Sequence, residues 1–232
     1  MHFSLIIPCY LDAAHLEKNF LTLQTYLSST CLAYEIIFVN DASPDGTKEV
    51  LAKIKTSFQH IVVHHHDANR GRGAAVMTGL GLAKGKYAGF IDIDLEHLHD
   101  AIIVMLIRME SENIDVITGR RLMVHPTRYL ARTVASLIYR KIALLILAMP
   151  FEDTETGLKI FRREKILTLL PKMKNLGWFW DTEIIHRAWK SGFKIIEHPI
   201  IFQKDLTKKS TVRLFRDSWQ YLKDLIQYKN YN

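Results

Sequence analysis

Cysteine is scarce in this sequence of 232 residues, in which Cys9 and Cys31 are the only two. Two cysteines cannot build the disulfide framework that stabilises small secreted domains. The N-terminus also lacks the basic start, the apolar core and the small-residue cleavage site of a signal peptide. These absences favour a reducing, cytoplasmic location.

Long apolar runs are missing as well, because the longest, which contains ALLILAMPF at 143–151, is far shorter than the roughly 18 residues that span a bilayer. The chain is therefore not expected to cross a membrane by itself. The run ends a stretch of helical pattern from about Arg128, in which Arg132, Arg140 and Lys141 lie among apolar residues. Such a helix could cover the core or lie in a membrane interface, and the sequence leaves both interpretations open.

Acidic residues are too few to balance the basic ones: 24 Asp and Glu stand against 31 Lys and Arg, a formal net charge of +7. The excess predicts an anionic partner such as a phosphate-bearing ligand or a membrane surface, although solubility alone would also explain it. Nucleic acid is not expected, because no recognised binding module is present and the acids at the strand ends would repel its backbone. A hydrophobic content of 48% is enough for the core of one globular domain.

Apolar strand-like segments alternate with helical patterns along the chain. The strand-like segments lie at 3–8, 34–40, 60–66, 87–94, 115–119 and 194–202. This alternation predicts an α/β fold with a mostly parallel central sheet, right-handed crossovers and flanking helices. Ligands of such sheets bind beyond the carboxyl ends of the strands, so the site residues are expected there.

The segment FIDIDLEH at 90–97 sets an acid at every second position. In an extended chain such side chains share one face, so Asp92, Asp94 and Glu96 would converge. A hard divalent cation such as Mg²⁺ or Mn²⁺ accepts oxygen ligands of this kind. The alternative is an ordinary strand with a solvated acidic face.

Three further strand-end segments carry polar or glycine-rich motifs. PCYLD at 8–12 follows the first strand, and NDASPDGT at 40–47 follows the second. Asp41 could accept hydrogen bonds from a nucleobase or cap a helix. NRGRGAAVMTGLGLAKG at 69–85 permits close backbone approach, and its Arg72 suits phosphate. Its spacing matches neither the dinucleotide-binding fingerprint nor the phosphate-binding loop.

A family resemblance rests on four motifs in this order: PCYLD, VNDASPDGT, NRGRGAA and DIDLEH. They are similar to those of the polyprenyl-phosphate glycosyltransferases, such as the dolichyl-phosphate mannose and glucose synthases, within the inverting GT-A glycosyltransferase family 2. The resemblance extends over about residues 2–215. It implies a Rossmann-like GT-A fold and metal-dependent transfer of a sugar from a GDP- or UDP-sugar to a polyprenyl phosphate lipid, at the cytoplasmic face of a membrane.

The resemblance also implies roles for individual residues. The nucleotide-sugar donor would be bound by Pro8, Tyr10, Asp12, Asp41, Arg72 and Asp92, together with Lys208, Lys209 and Arg213 of a basic loop. The divalent cation, Mg²⁺ or Mn²⁺, would be held by Asp92, Asp94 and Glu96, and the first two would be catalytic. The acceptor phosphate would be bound by Arg121, Arg132 and Ser136. Asp181 is the candidate catalytic base if the acceptor is a hydroxyl.

Two regions are expected: a GT-A domain at 1–205, and at 206–232 a basic loop and helix that could contact a membrane, directly or through a separate membrane subunit. Two other functions stay open. One is transfer to a hydroxyl acceptor, and the other is a non-catalytic sugar-nucleotide-binding regulator, whose signature would be loss of the metal acids. Glu183 and His186, which share one helical face, are interpreted as ordinary helix surface.

Overall fold

A seven-stranded sheet forms the centre of the computed structural model, which describes residues 3–94, 98–123, 141–202 and 214–231. Its strands are β1 (Phe3–Cys9), β2 (Tyr34–Asn40), β3 (Ile61–His65), β4 (Tyr87–Ile91), β5 (Val116–Met123), β6 (Leu158–Arg162) and β7 (Ile195–Phe202). They lie in the order β3-β2-β1-β4-β6-β5-β7. The pairings are parallel except those of β6, which runs antiparallel to both β4 and β5.

The predicted α/β class with a mostly parallel sheet is confirmed. Each of the six predicted strand segments overlaps an observed strand, because strands buried on both faces read as short continuous apolar runs. The sequence pattern missed β6, whose apolar residues are interrupted by Lys159. Strand β6 lies between β4 and β5, so these two strands are not neighbours in the sheet.

Helices cover both faces of this sheet. They are α1 (Leu16–Ser28), α2 (Thr47–Ser57), α3 (Arg72–Leu82), α4 (Ile102–Ser111), α5 (Arg163–Leu167), α6 (Trp180–Lys190) and α7 (Leu214–Tyr231). Residues 141–147 are helical as well. Short 3₁₀ segments lie at Leu98–Ala101 and Leu170–Lys172.

Two hydrophobic clusters lie on opposite faces of the sheet, as β1 illustrates. Phe3, Leu5 and Ile7 belong to the cluster that contains the buried residues of α1 and α4, whereas Ile6 belongs to the one beneath α3, α6 and α7. This division follows from the two-residue period of a strand. Each fully buried aliphatic or aromatic side chain stabilises the fold by about 1.5–3 kcal/mol.

The apolar run at 143–151 contributes to the second cluster. Ala143, Leu147 and Met149 are buried in it, while Leu145 is 81% exposed. The buried side of this segment is therefore explained by its packing on the core.

The C-terminal helix α7 packs into the same cluster through Tyr221, Leu225 and Tyr228. Within the described ranges, none of the helices has both the length and the apolar character needed to cross a bilayer.

Candidate active site at the carboxyl ends of the strands

The loop after β1 places Tyr10 and Asp12 at the carboxyl edge of the sheet. Pro8 lies in the strand, and Tyr10 is 41% exposed just beyond it. The Tyr10 N–H donates to Asp12 Oδ2 at 2.8 Å, and the Asp12 N–H donates to Thr47 Oγ1 at 3.2 Å. The loop is thereby fixed to the start of α2, and the Tyr10 ring is left accessible to a ligand.

Asp45 fastens the same two loops together. Its carboxylate accepts hydrogen bonds from Ser43 Oγ at 2.6 Å, from the Thr47 N–H at 3.1 Å and from the Ala13 N–H at 3.1 Å. Burial alone would raise the pKa of Asp45, but these donors outweigh it and the pKa lies below its ordinary value. The Asp45 carboxylate therefore has a structural role, because it connects the loop after β1 to the loop after β2.

Asp41 follows β2 and is almost fully buried, with 4% of its side chain exposed. Its Oδ1 accepts from the Arg70 N–H at 2.9 Å and contacts His66 Nδ1 at 2.7 Å, and its Oδ2 accepts from the Gly71 N–H at 2.8 Å. The other ring nitrogen of His66, Nε2, lies 2.9 Å from Thr78 Oγ1 and forms a hydrogen bond with it. Asp41 thus shapes the loop before α3, and its predicted contact with a nucleobase stays a prediction.

Arg72, the first residue of α3, joins two carboxylates that are distant in sequence. Its Nε and Nη2 contact Asp92 Oδ1 at 2.9 and 2.7 Å, and its Nη1 donates to Asp181 Oδ2 at 2.5 Å. The guanidinium lies 5.1 Å from the centre of the Phe90 ring and 5.6 Å from that of Trp178. Charge pairing and the neighbouring aromatic rings together orient this side chain toward the two carboxylates.

Two glycines allow Arg72 to reach this position. Gly71 has φ +97°, and a Cβ there would stand 2.5 Å from the carbonyl oxygen of Leu176. A Cβ on Gly73 would stand 2.6 Å from Trp180 Cβ. The glycines of the NRGRG motif thus let α3 begin against the loop and helix that carry Asp181.

Lys159 is a site residue that the sequence pattern did not reveal. It is fully buried, and its Nζ donates to Asp181 Oδ1 at 2.7 Å and to the Thr156 carbonyl at 2.7 Å. Burial lowers the pKa of Lys159, and the nearby Asp181 carboxylate opposes that effect. Both Asp181 oxygens therefore accept from cations, which does not favour a role as catalytic base. The sequence feature that could have indicated this residue is a single lysine within the apolar segment LKIF at 158–161.

The acidic triplet is not built on an extended strand, contrary to the spacing argument. Strand β4 ends at Ile91, Asp92 follows it directly, and Asp94 lies in the turn after that. Alternation along a strand therefore does not explain their proximity. Glu96 lies outside the described residues, and among those that are described no group of three His, Cys, Asp or Glu side chains could hold a metal ion.

The remaining acids nevertheless fit a hard cation. Burial raises the pKa of Asp92, and the charges of Asp94 and Asp181 add to this, whereas Arg72 lowers it. Such mutual repulsion is what a divalent cation would relieve, and carboxylate oxygens are its preferred ligands. A Cβ on Gly157 would overlap the Asp92 carboxylate, so the glycine makes room for that side chain.

Arg121 lies on β5 and is held by a second acidic group. Its Nε and Nη2 donate to the two oxygens of Asp153 at 2.7 and 2.8 Å, and Glu155 Oε2 lies 4.0 Å from Nη2. Asp153, which the sequence pattern did not reveal either, is fully buried. Five other predicted residues lie outside the described part of the chain: Arg132, Ser136, Lys208, Lys209 and Arg213.

The interpretation of Glu183 and His186 as helix surface is wrong. Glu183 is fully buried and His186 is 4% exposed. Glu183 accepts from the Asn175 N–H at 2.8 Å and from Arg187 Nε at 2.7 Å, and His186 Nδ1 contacts Tyr228 Oη at 2.8 Å. Helix α6 is covered on that face by the preceding loop and by α7, which a helical period cannot reveal.

Comparison with known proteins identifies a matching family. A sequence profile described as Glycosyl transferase family 2 matches residues 4–170. The chain is 30% identical over 223 residues to glycosyltransferase AglD of Haloferax volcanii, covering 90% of this chain and 34% of that protein. It thus spans about a third of that relative's length. It is also 28% identical over 248 aligned positions to a dolichyl-phosphate β-glucosyltransferase of Saccharomyces cerevisiae, covering 96% of this chain and 72% of the yeast protein.

Among solved structures, a similar fold occurs in the glucosyl-3-phosphoglycerate synthase of Mycobacterium tuberculosis, crystallised with Mn²⁺, uridine diphosphate and phosphoglyceric acid. The TM-score is 0.75 at 16% identity, and the match covers 98% of this chain and 78% of the other. At that identity the likeness establishes the fold.

Proposed function

Because the chain belongs to glycosyl transferase family 2, we propose that it moves a sugar, with inversion, from a nucleotide-diphosphate sugar to a polyprenyl phosphate. The yeast relative, named for its dolichyl-phosphate acceptor, supports the acceptor class. The donor is proposed to be a GDP- or UDP-sugar, bound along the loops that carry Pro8, Tyr10, Asp12 and Asp41, with Lys208, Lys209 and Arg213 closing over its diphosphate.

The pairing and burial of Asp181 are the main structural support for a phosphate acceptor. Its two oxygens accept from Arg72 and Lys159, and 4% of its side chain is exposed. A hydroxyl acceptor needs a general base within hydrogen-bonding reach, whereas a phosphomonoester is already largely anionic at neutral pH. The geometry therefore favours a phosphate acceptor over a hydroxyl acceptor.

A divalent cation, Mg²⁺ or Mn²⁺, would be held by Asp92 and Asp94, with Glu96 as the third proposed ligand. When bound, it would neutralise the charge that develops on the departing nucleoside diphosphate. Arg72 lies beside Asp92 and would orient the diphosphate through its planar fork. Arg121 would hold the acceptor phosphate, together with Arg132 and Ser136 from the segment of helical pattern that follows it in the sequence.

Access to a lipid acceptor would require the protein to bind at a membrane surface. We propose peripheral binding at the cytoplasmic face, through the basic region at 206–232 or a separate membrane subunit. The net charge of +7 favours anionic headgroups.

The test is transfer of radiolabelled sugar from a panel of GDP- and UDP-sugars, with Mn²⁺, Mg²⁺ or EDTA. Dolichyl or undecaprenyl phosphate and the corresponding alcohol form a matched acceptor pair. Metal-dependent product from the phosphate and not from the alcohol would support the proposal. Product from the alcohol would favour a hydroxyl acceptor, and nucleotide-sugar binding without transfer to either would favour a regulator.

A substitution of Asp181 would not separate the two acceptor classes. Asp181→Asn would remove the carboxylate that pairs with both Arg72 and Lys159. Activity would therefore fall for either acceptor class, and the variant would not discriminate between them. Asp94→Asn is the informative variant for the metal site, because it should abolish metal-dependent transfer if the cation binds as proposed.

A further inference from the structure

We propose that Arg72 is an exchangeable counter-ion, which neutralises Asp92 while the cation site is empty and passes to the donor diphosphate when the cation binds. The inference rests on the proposed function, because it takes Asp92 and Asp94 as the cation ligands. It adds a coupling between two ligands that a fixed phosphate-binding arginine would not provide.

The first supporting observation is the division of the guanidinium between two acids. Nη1 contacts Asp181, whereas Nε and Nη2 both contact the same oxygen of Asp92. One edge of the fork can therefore change its partner while the other stays attached. A guanidinium edge fits two phosphate oxygens as well as it fits a carboxylate.

The second observation is that the Arg72 contact with Asp181 is held more firmly than its contact with Asp92. Asp181 has a second cation, the buried Lys159, and 4% of its side chain is exposed. Asp92 has 34% of its side chain exposed and lies near the charge of Asp94. Lys159 thus keeps Asp181 as a permanent anchor, whereas the contact of Arg72 with Asp92 is partly open to solvent on the Asp92 side and can be replaced.

The four ion-paired side chains of this cluster balance in charge before any ligand binds, and the neighbouring Asp94 adds one negative charge. Arg72 and Lys159 carry two positive charges, and Asp92 and Asp181 carry two negative ones. A cation alone would have to compete with Arg72 for Asp92 and would add positive charge beside it. A diphosphate that accepts the released edge of Arg72 removes this penalty, so cation and nucleotide should bind cooperatively.

The experiment compares two binding constants in the full chain. Mn²⁺ is titrated into nucleotide-free protein by calorimetry, and UDP and GDP are then titrated at saturating Mn²⁺. Wild type is compared with Arg72→Gln and with a matched control, Arg70→Gln, which removes the same charge from an exposed side chain two residues away.

Arg72→Gln should bind Mn²⁺ roughly tenfold more tightly and the nucleotide roughly tenfold more weakly, the size expected for one charge-assisted contact. Arg70→Gln should change neither constant by as much. The opposite signs distinguish exchange from damage to the fold, which would weaken both ligands. Unchanged or weaker Mn²⁺ binding by Arg72→Gln would overturn the inference.

Arg72→Lys provides a second variant, because it keeps the charge but lacks a fork that reaches both acids. Its Mn²⁺ affinity should stay closer to wild type than that of Arg72→Gln, and an affinity as high as that of Arg72→Gln would contradict competition by charge. If wild type binds no Mn²⁺, or binds it as well as Asp94→Asn does, the proposed metal site fails rather than the exchange.

Discussion

The carboxylates around the candidate site form two groups that differ in what they contact. Asp41 and Asp45, the scaffold carboxylates, accept hydrogen bonds from backbone N–H groups, hydroxyls and one imidazole. Asp92 and Asp181, the ion-paired carboxylates, contact the cations Arg72 and Lys159. Both groups lie near the carboxyl ends of strands, so position alone does not separate them.

The difference indicates which acids shape the protein and which are available to ligands. Backbone donors cannot leave without unfolding a loop, so the scaffold carboxylates are fixed parts of the structure. A cationic side chain can change its partner when a ligand offers an equivalent charge. Substitutions of the scaffold carboxylates should therefore reduce stability, and substitutions of Asp92, the more exposed of the ion-paired carboxylates, should reduce activity.

The largest effect is expected from Asp92→Asn. Loss of a cation ligand should lower transfer at least about 100-fold, since metal ions contribute several kcal/mol to the transition state. Stability should change by less than about 1 kcal/mol, because the ion pair is partly exposed and Arg72 keeps Asp181. Sugar transfer and urea unfolding measure the two quantities. Full activity in this variant would show that Asp92 is not a ligand of the cation.

Gly157→Ala should have the next largest effect on activity. The new Cβ would overlap the Asp92 carboxylate and displace it, and misplacement of a catalytic group by about 1 Å can cost up to roughly 100-fold in rate. Transfer assays at increasing Mn²⁺ should show a higher requirement for the cation.

The matched control for that variant is Gly81→Ala, at an α3 position where a Cβ meets nothing within 4 Å. It should keep full activity and gain about 0.5–1 kcal/mol of stability from better helix propensity. Equal activity of the two alanine variants would show that the space beside Gly157 is not needed.

Asp41→Asn tests the scaffold group. The amide cannot accept from all three donors that now contact the carboxylate, so the free energy of unfolding should fall by about 2–3 kcal/mol. Urea unfolding gives this value. In the folded fraction, a raised KM for the donor with unchanged kcat would support the predicted nucleobase contact. Unchanged stability would contradict the scaffold role.

The smallest effect concerns pH and Asp45. The pKa of Asp45 is lower in the folded protein than its ordinary value of 3.8. Its contribution to stability should therefore be complete above the unfolded pKa and decline as pH falls through the lower folded pKa. Urea unfolding between about pH 5 and 3 should show a shallower decline in Asp45→Asn than in wild type. An identical slope in both would contradict this.

Local sequence patterns predicted several parts of the structure correctly. The apolar segment at 34–40 coincides with β2, and the polar residues after β1, β2 and β4 lie at the expected edge of the sheet. The same patterns failed for Glu183 and His186, whose burial depends on α7, and for β6, where Lys159 interrupts the apolar run. Period and composition describe one segment at a time, whereas burial also depends on what packs against it.

The sequence by itself determined the α/β class, the family and the placement of acids after strands, because hydrophobic period and turn residues act within a few positions. Only the tertiary structure decided which charge meets which. Arg72 and Asp181 are 109 residues apart, and Lys159 reaches Asp181 from an antiparallel strand that no local pattern indicated. Charged side chains carry no local signal of their partners, and folding selects those partners by bringing distant segments to one sheet edge.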